Sequence, residues 1–336
     1  MLYTTTRSSS DTYTAQRTLT LTRGSDGGFF IPFHLPVFSQ SEIAEFGSIC
    51  FNERLSLVLN LLFGTRLTSY DIDLAIGRHS VRLSQLGQRL IVAECWHNTQ
   101  WHFSRMVNDL SALMNKTMDQ EPQTGSWAEV GIRIAVLFGI FGELLRDGTA
   151  SAEKTVDISV VSGNFSAPMS AWYARKMGLP IGNIVCCCNE NGGLWDFFCH
   201  GSLRTDAVAT DTFIPEADVA VPMLLECLIH AYGGTQEVMR YMGCCHRGGS
   251  YYVDEGMLMQ LRKGFYATVS SGQRVISTIS NCKSTHQYLF SLPSALAYSG
   301  LQDYRGRTGA SATALIFAEK SPKLDMHLYS DGMEAP

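Results

Sequence analysis

Ser162-Gly163-Asn164-Phe165 follows the apolar, β-branched run Asp157-Ile158-Ser159-Val160-Val161 and precedes a helical stretch that opens on Ser166 with Pro168 in its first turn. A turn of this composition between a strand and a helix can hold an anion. Glycine lets the backbone come close, and the free N–H groups and dipole of the helix end favour a phosphate. Ser162, Gly163, Asn164, Phe165 and Ser166 therefore form a candidate cradle for a phosphate-bearing small molecule. The same residue types also serve ordinary turns, so this spacing alone leaves both readings open. Asn189-Glu190-Asn191 comes just past the next apolar run, at the strand end where ligands of open α/β sheets bind. It is the candidate substrate contact, although a plain polar turn has the same composition. Cys244-Cys245-His246 offers metal-capable groups at a spacing too tight for one zinc site, and no metal is expected.

The elements that must position these groups begin with one βαβ unit. The helix that Ser166 is expected to cap should end at Gly178-Leu179-Pro180. Ile184-Val185-Cys186-Cys187-Cys188 lacks polar alternation, which predicts a strand buried on both faces of a parallel sheet. Upstream, residues 1–22 are Thr- and Ser-rich, and residues 23–32 make a turn feeding a short extended segment. Apolar spacing predicts a helix over 41–62, broken near Asn52, and another over 69–86. Residues 90–97 read as a strand, and from Phe103 the positions Met106, Val107, Leu110, Leu113 and Met114 fall at helical intervals. Residues 134–145 read as an apolar core helix, 223–242 and 257–265 as surface helices, and 314–317 as a strand. The pattern predicts an α/β fold with an open, mostly parallel sheet and flanking helices. It divides into a helical and extended segment, 1–88, and an α/β core, 89–336.

Composition narrows the partners. The chain has 336 residues, a formal net charge of −5 and no Lys/Arg-rich run, so neither nucleic acid nor an anionic membrane is an expected partner. No apolar stretch reaches transmembrane length, and the N-terminus shows no secretory signal. The ten cysteines lack a Cys-x-x-Cys pair and read as buried thiols of a reducing cytosol, which makes a cytoplasmic location the expectation.

The run SGNFSAPMSAWYARKMGLPIGNIVCCCNEN resembles, in order and spacing, the phosphate loop, helix and strand of threonine synthases, which read S-G-N-F-G-D, A-x-K-M-G-L-P-I and N-E-N-D. Ser166 and Ala167 stand where that family has Gly-Asp. Residues 3–7 and 25–36 are similar to the family's Y-x-S-T-R-G and L-A-x-D-G-G-L-F-x-P stretches. The resemblance implies the large domain of fold type II enzymes that use pyridoxal phosphate to convert O-phosphohomoserine to threonine. Within it, residues 90–105 resemble E-L-F-H-G-P-T-x-A-F-K-D, with Glu94, His97 and Phe103 in register. The family's lysine forms the cofactor imine. Ser104 stands in its place, and Arg105 in place of the aspartate that follows.

A serine hydroxyl forms no Schiff base, and the same lysine moves the proton at the substrate α-carbon, so one change deletes two roles. Seven lysines remain, at 116, 154, 176, 263, 283, 320 and 323. Lys116 lies twelve helical residues on, about 18 Å along the axis, and cannot reach; Lys320 lies close to the site on the resemblance. Residues 115–150 stand where the family has a small domain with a second loop, S-G-D-T-G, which is absent here. Glu319 replaces the threonine that faces the cofactor's pyridine nitrogen. The resemblance thus implies a threonine-synthase-like protein without the cofactor lysine and without threonine synthase activity, with pyridoxal phosphate held non-covalently if it binds. The alternative is an active pyridoxal-phosphate-dependent lyase that uses another lysine or altered chemistry.

Overall fold

The computed structural model describes residues 1–8, 10–77, 81–96, 101–115 and 125–325. The N-terminal strands β1 (Leu2–Thr5), β2 (Tyr13–Thr14) and β3 (Phe30–Pro32), with α1 (Ala15–Thr20) between the last two, form a small antiparallel sheet in the order β2-β1-β3. Three helices follow: α2 (Gln40–Glu45), α3 (Phe51–Phe63) and α4 (Ser69–Ile76). The segment 41–62 is thus two helices, and the break precedes Asn52. Asn52 lies in the first turn of α3, where its side chain donates to the Asp73 carboxylate and, at 3.2 Å, to the Gly77 carbonyl. The helix expected over 69–86 stops at Ile76, because Gly77 takes a φ of 76° that other residues avoid. Residues beyond it form a strand, β4 (Arg82–Gln85), which joins the main sheet.

The main sheet also contains β5 (Leu90–Glu94), β6 (Val156–Val161), β7 (Ile181–Cys188), β10 (Phe265–Val269) and β11 (Ala314–Ala318), in the order β10-β7-β6-β11-β5-β4. All neighbours pair in parallel except β4, which runs antiparallel to β5 at the edge. The strand expected over 90–97 ends at Glu94; His97 lies outside the described residues. The helices between these strands are α5 (Phe103–Met114), α6 (Trp127–Arg146), α7 (Ser166–Lys176), α8 (Gly193–His200), α9 (Leu225–Arg247), α10 (Glu255–Arg262), α11 (Gly272–His286) and α12 (Leu292–Thr308). Strands β8 (Ser202–Arg204) and β9 (Ser250–Tyr252) make a separate two-stranded pair. The helix expected over 257–265 ends at Arg262, and Phe265 instead opens β10. α9 changes direction at Gly234, whose φ is 70°.

The period of two along a strand sends successive residues to opposite faces, and here both faces are dry. Leu90, Val92, Val185, Cys187, Ala314 and Ile316 meet α11 and α12 in one core. Ile91, Ala93, Ile158, Val160, Ile184 and Leu315 meet the larger core that α5, α6 and α7 close. That is why the strands read as continuous apolar runs. No helix among the described residues is long and apolar enough to cross a membrane.

The helix α6 is apolar nearly all round and packs on α3 through Gly131, Gly139 and Gly142. A Cβ at Gly139 would fall on the Phe51 ring, and one at Gly142 on the guanidinium of Arg54. Arg54 is fully buried and cannot step aside, since its Nε donates to the Phe46 carbonyl at 2.6 Å and its Nη1 to the Gly139 carbonyl at 3.0 Å. Gly142→Ala is therefore expected to destabilise the chain by about 1–3 kcal/mol in urea unfolding, as overpacking does. Gly306→Ala, on the exposed face of α12 with nothing near its Cβ, should instead stabilise by up to about 1 kcal/mol.

Candidate functional site

A cavity of about 670 Å³ opens at the carboxyl ends of β6 and β11, between the starts of α5, α6 and α7. β6 delivers Ser162, Gly163 and Asn164 to its wall, and β11 delivers Glu319 and Lys320. The backbone N–H of Phe103 donates to the Glu319 carbonyl at 2.9 Å. This bond ties the start of α5 to the end of β11, so Ser104, the second residue of α5, lies in the same wall with its side chain exposed. Of the residues singled out by sequence, Ser104, Ser162, Gly163, Asn164, Ser166 and Glu319 are thus brought together.

Local chemistry shapes the loop between β6 and α7. Ser162 turns back on the sheet, its hydroxyl donating to the Cys187 carbonyl at 3.1 Å. Gly163 has a φ of 43°, and the Glu216 carbonyl oxygen sits 2.8 Å from where its Cβ would be, so only glycine fits. Phe165 also takes a left-handed φ, 74°; its ring leaves the cavity and packs, fully buried, against Phe198 and Phe265. The cap differs from the one expected. The side-chain oxygen of Asn164 accepts the Ser166 N–H at 2.9 Å, and Phe165 holds the cap position, which makes Ser166 the first helical residue. Its hydroxyl is turned outward and donates to Glu129 Oε1 at 2.7 Å.

Asn189, Glu190 and Asn191 do not line the cavity. Asn189 Nδ2 donates to Thr212 Oγ1 at 2.9 Å and to Asp218 Oδ1 at 2.6 Å, and Asn191 exchanges hydrogen bonds with the Thr210 backbone at 2.8 and 2.9 Å. Glu190 accepts the Gly272 N–H at the start of α11 at 2.7 Å. Asn189 and Asn191 thus hold the segment 210–218, which carries Pro215 and Glu216 over the loop as a roof.

Of the charged groups, Glu319 and Lys320 were placed at the site by the sequence resemblance, whereas Glu129, Arg133 and Glu216 were not singled out. Arg133, only 6% exposed, joins Glu319 through Nη1 and Glu129 through Nη2 at 3.3 Å, with its guanidinium 4.3 Å above the Phe103 ring. Burial pulls its pKa down, but the two carboxylates outweigh burial and hold it above the ordinary arginine value. The signal that was available is a Glu and an Arg spaced i,i+4 in a stretch of α6 whose other residues up to Gly142 are apolar. Lys320 Nζ lies 2.6 Å from Glu216 Oε1 and 3.0 Å from Asp325 Oδ1. Burial lowers its pKa, and the two carboxylates more than offset this, so the net shift is upward. Lys116 lies outside the described residues.

A cavity at the carboxyl ends of a mostly parallel sheet, under a strand-to-helix loop and flanked by helices on both faces, defines the class: the chain has the fold of the threonine synthases. The pyridoxal-phosphate-bound threonine synthase from Brucella melitensis superposes with a TM-score of 0.86 at 17% identity, over 98% of this chain and 91% of that one. Threonine synthase from yeast gives 0.80 at 16% identity, over 98% and 90%. In sequence, residues 2–79 match the family model described as threonine synthase N terminus. Threonine synthase-like 1 from Homo sapiens is 25% identical over 179 residues, 51% of this chain and 24% of that protein. Threonine synthase from Methylobacillus glycogenes is 29% identical over 167 residues, 48% and 34% respectively. The matched stretches thus span about a quarter to a third of these curated relatives.

Arg133→Met leaves Glu129 and Glu319 without their shared cation and should destabilise the chain by about 1–3 kcal/mol in urea, with part of the loss recovered in the Arg133→Met/Glu129→Gln double variant. The Lys320 pair has the opposite pH logic to a carboxylate. Because the folded pKa is raised, its contribution is complete below the ordinary lysine value of 10.5 and is lost as pH climbs through the raised one. Melting temperatures of wild type and Lys320→Met should therefore differ at neutral pH and converge in strongly alkaline solution.

Proposed function

We propose that this chain is a threonine-synthase-fold protein that does not carry out the threonine synthase reaction, and that its cavity serves as a non-covalent small-ligand site. The observation that carries this reading is Ser104 in the cavity wall at the start of α5, where the sequence resemblance expects the imine lysine. A hydroxyl can neither form that bond nor shuttle the proton that follows. Between α5 and β6 the described residues hold one helix, α6, which supports the loss of the family's second glycine-rich loop.

Pyridoxal phosphate is bound in the Brucella relative. The residues of this cavity do not fit it in the way the sequence motifs require. Position 104 offers no amine, the hydroxyl of Ser166 at the loop is already given to the Glu129 carboxylate, and Glu319 is taken up by Arg133. The second reading, an active lyase working through another lysine, is favoured by one observation, the presence of Lys320 in the wall. Against it stands the pairing of that amine with Glu216 and Asp325, since imine formation needs the neutral form and the raised pKa keeps the ammonium. A cytoplasmic location is part of the proposal, on the ten free thiols.

The test combines three readouts on the full chain. With added pyridoxal phosphate at neutral pH, no imine absorbance should develop and borohydride should fix no label on any lysine. No threonine or phosphate should form from O-phosphohomoserine. Ser104→Lys should gain a weak, pH-dependent chromophore and a borohydride label at position 104, while remaining inactive. Label on Lys320 of the wild type, or threonine produced by it, would overturn the proposal in favour of the lyase.

A further inference from the structure

The loop and helix start that sequence marks as an anion cradle already have an anion. Glu129 projects from the first turns of α6 and accepts the Ser166 hydroxyl at 2.7 Å through Oε1 and the Gly125 N–H at 2.7 Å through Oε2. It also meets Arg133 Nη2 at 3.3 Å. This places the carboxylate beside the first residue of α7, an eleven-residue helix whose dipole favours negative charge there, while the first-turn donors are largely used inside the protein: the Ser166 N–H goes to Asn164, Pro168 has none, and the Met169 N–H goes to the Phe165 carbonyl. Arg133 supplies the second, independent observation: it lines the cavity, is 6% exposed, and its Nε has no hydrogen-bond partner among the described residues. The guanidinium is held by two carboxylates, so loss of Glu129 would free Nη2 as a charge-assisted donor for an external anion. The wall is acidic as a whole, since Glu129, Glu216, Glu319 and the adjoining Asp325 outnumber Arg133 and Lys320 by four to two.

We infer that Glu129 is a resident counter-ion that fills a latent anion site formed by the Ser166 hydroxyl, the Gly125 N–H and Arg133, and so opposes phosphate groups in the cavity. The wild-type chain holds phosphate and phosphate monoesters too weakly to saturate, because a dianion entering the site meets a fixed carboxylate on its own donors and a net negative wall. Removing the carboxylate turns the same donors toward an external anion. This goes beyond the absence of imine chemistry and is independent of the side chain at 104.

The experiment is calorimetric titration of the full chain with inorganic phosphate, on wild type, Glu129→Ala, Glu129→Gln and Glu129→Ala/Arg133→Met, each checked for fold by circular dichroism and melting. Wild type should give no saturable binding. Glu129→Ala should bind about ten- to a hundredfold more tightly than the wild-type limit, the value of one freed charge-assisted hydrogen bond. Glu129→Gln should gain less, because the amide keeps the volume and loses only the charge. The double variant should lose the gain, which a merely structural role for Glu129 does not predict. Saturable phosphate binding by wild type as tight as by Glu129→Ala overturns the inference, and so does a folded Glu129→Ala that gains nothing. If Glu129→Ala does not fold, Glu129→Gln decides: a folded Gln variant with no gain in phosphate binding overturns it equally.

Discussion

The salt-bridged guanidinium of Arg133 is the interaction on which the rest of the site depends. Through Glu319 it holds the end of β11, and through Glu129 and the Ser166 hydroxyl it reaches the start of α7. Its flat face rests on Phe103 at the start of α5. Four elements that are distant in sequence therefore meet at one cation. A charge this well buried is tolerable only because carboxylates lie on two sides of it, and Glu129 is itself tied to the Ser166 hydroxyl and the Gly125 N–H. The same arrangement that makes the cavity stable takes up the groups a ligand would otherwise use.

Most charged groups of the site are paired within the protein. The loop after β6 keeps the geometry of an anion cradle, with Gly163 pressed under a carbonyl and a helix dipole behind it. The side chains around it have been paired off inside the protein: Lys320 with Glu216 and Asp325, Arg133 with Glu319, Ser166 with Glu129. In a low-dielectric pocket such pairs resist displacement, since a ligand must break them before it makes anything of its own.

Much of the fold was legible because the parallel strands are buried on both faces, which forces continuous apolar runs such as Ile184 to Cys188, and because Gly178 and Pro180 stop α7 cleanly. The loop 162–166 was legible from its glycine and its place between a strand and a helix. Legibility failed where a short polar strand at a sheet edge, β4, has no apolar run to announce it, and where Phe265 could continue a helix or open a strand. It failed at the cap of α7 because Asn164 and Ser166 are both capping types and only the left-handed turn at Phe165 decides between them. The charged wall was hidden for a different reason. Glu129 and Glu319 lie 190 positions apart in sequence, and nothing local says that one arginine will join them.

The contact between Gly163 and the Glu216 carbonyl is a meeting of two main chains, with no side chain between them. The roof over the loop therefore reads position 163 with atomic strictness and is blind to the identity of residue 216. Substitutions can accumulate along 210–218 as long as Asn189 and Asn191 keep their grip on Thr210, Thr212 and Asp218. The entrance to the cavity can thus drift in charge and shape over sequence change while its floor stays rigid, so that in this architecture the roof is the part free to acquire a new specificity and the glycine beneath it is the part that cannot.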